Sequence, residues 1–443
     1  MKKICTLLIC SLMVLPVFAQ LGGLLDRAKQ RAKSKVEQKV DQKIDNAVDK
    51  QVDKADDAVS GKNQSNTKKS SQSNTEAAVD DAGADAKTKS AVTFKSYSKF
   101  DFVPGEKVVA AEDFSQDAVG DFPARWNTNG SGEVVTTSLA EGKFLMTQKE
   151  TVFYPEWVSN LPDNFTLEFD LICSDKFSYY SGHFIAGFTS AGNVGKDFRV
   201  FGKFGDGRME NGGGFEVTFH PTNAGGSQGA SVFASSHNNK EFLRNEINQD
   251  QFSDKGNHKA HISLWRQKTR IRVYINDKKV WDLPRALPEG LKLNSLYFRN
   301  DGNNSNEDAF YMGNMRLAIG APDTRNKLIT EGKFVTHGIL FDVNSDRIKP
   351  ESYGAIKDIA NVLNENTGVN VKIIGHTDSD GDDKANLALS KKRAESVKNT
   401  LIKDFGVDAS RLNTDGKGEA APIDKNTSLE GKANNRRVEF VKE

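Results

Sequence analysis

The chain has 443 residues but only three cysteines, four tryptophans and eleven prolines, and its 61 Lys and Arg face 60 Asp and Glu. Each scarcity excludes something. Without a surplus of cations a general nucleic-acid binder is ruled out, because displacing phosphate counterions takes clustered positive charge. Beyond the first twenty residues no apolar run approaches the roughly 20 residues that a membrane-spanning helix needs. Cys5 and Cys10 lie in a segment that reads as a leader, which leaves Cys173 alone. One thiol makes no internal disulfide, and its place near the end of an apolar strand pattern predicts a buried, inert side chain.

In that leader, Lys2 and Lys3 precede an apolar stretch from Ile4 to Val14, and Val17-Phe18-Ala19 stands before Gln20. This is the pattern of a signal peptide over residues 1–19, so the chain is expected to be exported. The bulky Ile9 before Cys10 speaks against lipid attachment there. Ala28, Ala32, Val36, Val40, Ile44, Val48 and Val52 then recur every four residues among polar ones. On a helix each such step advances about 400°, so the stripe drifts some 40° per step and no straight partner can follow it. Residues 20–59 read as a polar helix, basic early and acidic late. Self-association as a homo-oligomer, membrane-surface binding and plain spacing all remain open for it. The stretch 60–107 begins too polar to offset its ordering entropy and reads as a disordered linker, with aromatic residues returning from Phe94 onward.

Residues 108–322 show period-two patterning. Phe165-Thr-Leu167-Glu-Phe169-Asp-Leu171 alternates cleanly, and Asn276-Asp277 links two strand patterns as a hairpin turn would. The expectation is an all-β, jelly-roll-like sandwich. Within it HKAHISLWRQKTRIRVYINDKKVWDLPRAL resembles the late strands of concanavalin-like and laminin-G-like sandwiches. Over residues 323–443 the pattern changes to strands alternating with helices, which predicts a small α/β domain. Its elements are a strand at Gly338–Phe341, a helix from Pro350 to Leu363, a strand at Val369–Ile374, a helix over 383–405 and a strand at Arg437–Val441. The second helix has an apolar stripe of Leu387, Ala394, Val397, Leu401 and Phe405. The fold class is multidomain.

Few constellations can carry chemistry. Glu168 and Asp170 share one strand face, as in some sandwich glycosidases, but the position for a third carboxylate is Ile172. They read as polar residues on a solvent-facing side. Trp157, Trp265 and Trp281 are the aromatic candidates for glycan contact. His258 and His261 have no partner at metal-ligand spacing. The run Asp378-Ser-Asp380-Gly-Asp382-Asp383 resembles a calcium loop, yet no Glu stands at its twelfth position and a strand leads into it. No catalytic residue, metal or cofactor is expected, and no enzyme activity.

A stronger constellation follows the strand ending in Gly375-His376-Thr377-Asp378. Asn386 and Arg393 are seven residues apart and line up within about 20° on one edge of the helix. An arginine beside the apolar stripe needs a partner, and Asp378 can sit just beyond that edge. The residues define one carboxylate and one guanidinium around a pocket.

The stretches GILFDVNSDRIKP, GHTDSDG, NLALSKKRAESV, DGKGEAAP and NNRRVEF, in this order over residues 333–443, closely resemble the OmpA-like peptidoglycan-binding domain. The resemblance implies that the diaminopimelate of a peptidoglycan stem peptide is held non-covalently. Asp378 would take its ammonium and Arg393 its carboxylate, while Asn386, Asn344 and Arg436 match the family's further binding positions. A zwitterion needs one acid and one planar fork donor, and both are present. It implies a cell-envelope protein, periplasmic or associated with the outer membrane, that anchors the sandwich to the wall. In the competing reading the sandwich is a lectin for a glycan, or binds another envelope protein, and the C-terminal domain is only its anchor.

Overall fold

A computed structural model describes residues 100–443 apart from 148, 201–212, 224–227, 239, 303–307 and 322. The signal peptide and polar helix expected over residues 1–59, and the expected linker as far as residue 99, lie outside the described residues. Fifteen strands occupy residues 107–319 among those described. They are β1 (Lys107–Glu112), β2 (Trp126–Thr128), β3 (Gly132–Thr136), β4 (Lys143–Thr147), β5 (Thr151–Pro155), β6 (Asn164–Cys173), β7 (Phe184–Thr189), β8 (Gly213–His220), β9 (Gly229–His237), β10 (Lys240–Gln249), β11 (Lys259–Gln267), β12 (Arg270–Ile275), β13 (Lys278–Leu283), β14 (Ser295–Asn300) and β15 (Phe310–Ile319). One sheet runs β13-β12-β11-β6-β15-β4-β3, with β1 also paired to β15, and the other runs β10-β9-β8-β7-β14-β5-β2.

The period-two pattern sets which face is inside. Phe165, Leu167, Phe169 and Leu171 of β6 share one core with Phe215, Val217 and Phe219 of β8 and with Leu296 and Phe298 of β14, so the two sheets enclose a common apolar layer. Cys173 is buried in that layer, and burial pushes its thiol well above the ordinary range. The Asn276-Asp277 turn joins β12 to β13 with Asn276 at φ 54°, as a tight hairpin demands.

The tryptophans do not form a surface platform. Trp265 and Trp281 are buried, and Trp157 is half-buried beneath Arg125, whose guanidinium carbon lies 3.9 Å from the ring centre. Their size makes them filler where layers meet.

The C-terminal part is a four-stranded sheet in the order β16-β19-β17-β18. Its strands are β16 (Lys333–Thr336), β17 (Val371–His376), β18 (Leu412–Gly418) and β19 (Val438–Lys442). A short helix, α1 (Val194–Val200), belongs to the two-sheet part, while α2 (Tyr353–Glu365), α3 (Asp383–Phe405) and α4 (Leu429–Asn435) belong here. α2 and α3 cover a second core that includes Ile356, Ile359, Val371, Ile373, Val397 and Leu401. β17 and β18 are parallel, so the chain needs the α3 crossover between them.

Three expectations change here. The strand expected at Gly338–Phe341 lies at 333–336 instead, because the backbone of Leu340 bonds to Ser352 Oγ and to Lys349 N rather than to the sheet. β18 is additional. Its sequence, LNTDGKG, is almost wholly polar because it is an edge strand that α3 covers on one side. The buried stripe of α3 is Asn386, Ser390, Ala394, Val397 and Leu401, while Leu387 is 40% exposed. Two of those five are polar because the start of the helix packs on strand-end loops rather than on the apolar core.

The two parts are packed together. Phe102 meets Trp265 and Tyr274 edge-on, with ring centres 6.1 and 5.4 Å away. On its other side the Phe102 backbone abuts α2, where a Cβ on Gly354 would come within 2.3 Å of its carbonyl oxygen. Asn434 of α4 donates to the Val108 carbonyl at 3.0 Å and accepts from the Val108 N–H at 2.9 Å, and so extends the ladder of β1.

Candidate functional site

The site grows from the end of β17. Gly375 lets α3 approach the strand, since a Cβ there would lie 2.2 Å from the Ser390 carbonyl oxygen. Three residues on, Asp378 leaves the sheet and is 7% exposed. Its Oδ2 accepts from Arg436 Nη1, and its Oδ1 accepts from the Asp380 N–H at 3.2 Å. Asp382 caps α3, accepting from the N–H groups of Lys384 and Ala385 at 3.0 Å. Asp380 pairs with Lys432 at 2.7 Å. Asp378, Asp380 and Asp382 thus each have a local partner, and among the described residues no group of three or more His, Cys, Asp or Glu could hold a metal.

Arg393 projects from the second turn after Asn386. Its Nε donates to the Ser345 carbonyl at 2.9 Å, and its guanidinium carbon sits 4.9 Å from the centre of the Phe341 ring. Its terminal NH2 groups meet no protein acceptor among the described residues. Burial, and then the neighbouring Arg436, hold its pKa below arginine's ordinary value, while Asp378 and Asp346 pull the other way. The result is a partly desolvated cation, pinned at one edge and open at the other. An incoming carboxylate would relieve it.

The structure brings only some of the five expected residues into one cavity. Arg393 and Arg436 line a cleft of about 1000 Å³. Asp378 sits under Arg436 and makes no ion pair with Arg393. Asn386 is 7% exposed and acts as a brace: its Nδ2 reaches the carbonyls of Asp378 and Asp380 at 3.4 and 3.0 Å and Glu419 Oε2 at 2.6 Å. Asn344 stands exposed at the tip of the loop that the Phe341–Ile348 bridge closes, in the left-handed region at φ 51°. The sequence pattern did not single out Phe341, Ser345 or Glu419. Their roles are a ring face, a backbone carbonyl and a contact from a distant loop, none of which leaves a spacing signature.

Residues 340–436 match the model of the OmpA family. The C-terminal part of this chain is an OmpA family domain. Over 105 residues the chain is 46% identical to the probable lipoprotein YiaD of Escherichia coli, covering 24% of this chain and 48% of that protein. Over 101 residues it is 44% identical to outer membrane porin F of Pseudomonas fluorescens, covering 23% of this chain and 31% of that one. A solved structure described as the cell wall anchor of the T6SS from Pseudomonas aeruginosa is 30% identical; the match covers 25% of this chain and 81% of that one, with a TM-score of 0.23. The chain spans about a third to a half of the length of these curated relatives.

Glu168 and Asp170 are not solvent-facing. They point away from the two-sheet core but are 3% and 7% exposed, because Lys259, His261, Asn314 and Arg316 of the same face close around them. Asp170 pairs with His261 at 2.9 Å and with Lys259 at 3.1 Å, and Glu168 pairs with Arg316 at 3.4 Å. Arg316 in turn donates to the His337 carbonyl at 2.8 Å, across the junction.

Proposed function

We propose that this chain is a cell-envelope protein that binds peptidoglycan non-covalently, at the diaminopimelate of the stem peptide, and thereby anchors its two-sheet part to the wall. Arg393 carries the reading: a guanidinium held at Nε over Phe341, with its terminal NH2 groups directed to no carboxylate among the described residues. Asp378 is the counterpart for the ammonium. Its present partner, Arg436, is half-exposed and can yield when that ammonium arrives. Asn386 and Asn344 then act by shaping the two loops. The pocket offers charge-assisted hydrogen bonds rather than an activated nucleophile, so binding is reversible. Residues 323–443 form the wall-binding domain, 108–322 a jelly-roll-like sandwich of concanavalin or laminin-G type, and the leader delivers the protein to the periplasm or the outer membrane.

The test is co-sedimentation of the purified mature chain with peptidoglycan sacculi. Wild type is expected in the pellet. Asp378→Ala and Arg393→Ala are expected in the supernatant, with unchanged circular dichroism. Full retention of both variants in the pellet overturns the site.

A second reading, a lectin role for the two-sheet part, finds support at one place. Tyr179 and Tyr180 are 56% and 79% exposed, with ring centres 5.2 Å apart. Such a pair is a stacking surface for a sugar face. A glycan array with the full chain, repeated with Tyr180→Ala, separates a lectin from a spacer.

A further inference from the structure

The cleft has two walls, and only one belongs to the OmpA family domain. Opposite Arg393 and Arg436 stands the outer face of β6, β11 and β15, carrying Glu168, Asp170, Lys259, His261, Asn314 and Arg316. A network of mixed charge at a domain junction can be no more than an interface. Three observations point to a ligand as well.

The first is a distortion. β15 is bulged between Gly313 and Arg316, and Asn314 adopts φ 51° in the middle of a strand, a region that non-glycine residues rarely visit. Bulges of this kind re-aim a side chain, and this one leaves Asn314 exposed at the cleft. Its Nδ2 donates one hydrogen to Asp170 Oδ2 at 2.9 Å, which leaves the second Nδ2 hydrogen to donate to a carboxylate.

The second is size. At about 1000 Å³ the cleft is at the upper end of small-molecule sites and has room for far more than one amino acid. The third is charge. Lys and Arg outnumber Asp and Glu among the lining residues by eight to five. They still exceed them when Asp378 and Glu439, which pair with Arg436 and Arg437 from just behind the lining, are counted, so the cleft favours a ligand with more carboxylates than ammonium groups. Lys259, whose side chain is 42% exposed, is the accessible cation of the far wall. A peptidoglycan stem peptide has this balance: beside the diaminopimelate zwitterion it carries the α-carboxylate of its D-glutamate and that of its terminal D-alanine.

We propose that the two walls form one composite site, in which Lys259 and Asn314 of the two-sheet part hold the carboxylate-bearing stretch of stem peptide that adjoins the diaminopimelate. The proposal rests on the assignment of Asp378 and Arg393 above. On this view the front part helps to select the ligand and is more than its cargo.

The experiment measures, by calorimetry on the mature full-length chain, affinity for the free tetrapeptide L-Ala-γ-D-Glu-meso-diaminopimelate-D-Ala and for free meso-diaminopimelate. Two substitutions are compared. Lys259→Gln removes the charge. Asn314→Gly removes the side chain but keeps the left-handed backbone. In each, the ratio of tetrapeptide to diaminopimelate affinity is expected to fall about tenfold, the scale of one hydrogen bond to a charged group. Arg393→Ala is expected to abolish binding of both. Unchanged ratios in both variants, with Arg393→Ala still inactive, overturn the composite site alone. If Arg393→Ala still binds both ligands, the pocket assignment itself falls, and the composite site with it.

Discussion

Arg393 shows how one side chain can be both structural and exposed to a ligand. The Ser345 carbonyl and the Phe341 ring fix its plane, so little conformational entropy remains to be lost when a carboxylate docks. Asp382 works only at the helix start; Asp382→Ala should cost about 1 kcal/mol, read as a lower thermal midpoint. His261 makes a pH prediction. Burial lowers its pKa, but the hydrogen bond and charge of Asp170, with the charges of Glu168 and Glu351, outweigh this and leave it raised. Its contribution is therefore full below about pH 6.5 and is lost as pH rises through the folded value. His337 works in the opposite sense. Burial and then Arg316 lower it to about 4, so the protein loses stability as pH falls from about 6.5 towards 4. The destabilisation by His261→Asn should shrink as thermal melts move from pH 6 to pH 9. His337→Gln should flatten the acid side of the same profile. Parallel curves for wild type and variants would contradict both.

At the scale of elements, the segment before β1 matters most. Phe102 fills the layer between the first sheet and α2, touching Trp265 and Tyr274 with its ring and Gly354 with its backbone. Phe102→Ala should cost about 3–5 kcal/mol of stability, measured by urea unfolding. Sequence pattern registered that aromatic residues return here but not what they pack against, since their partners lie more than 160 residues away. The same limit explains α3 and β18. A helix over 383–405 follows from its residues, whereas the polar start of its buried stripe, Asn386 and Ser390, follows from loops that only the fold brings beneath it. β18 carries no alternation because α3 and the sheet edge leave little apolar surface for it to bury.

At the scale of the whole molecule, the described residues behave as one unit. Asn434 continues the ladder of β1, Arg316 reaches the His337 carbonyl, and Arg125 pairs with Glu430 at 2.7 Å. Asn434→Ala strands buried backbone groups of Val108, each worth about 1–3 kcal/mol when unsatisfied. Calorimetry should show a single transition for wild type and two for this variant. A single transition at an unchanged temperature would mean that the junction adds nothing to the cooperativity.

The near balance of charge, the period-two strands and the spacing from Asp378 to Arg393 are local or compositional facts, and the sequence by itself determined them. So too the OmpA family domain, because its motifs lie in short stretches with fixed order. Tertiary structure decided that Asp378 faces Arg436 rather than Arg393, that Glu168 and Asp170 are buried, and that the cleft has a second wall. Those outcomes depend on which residues far apart in the chain are brought together, and the free energy of that packing is shared among both partners and written in neither alone.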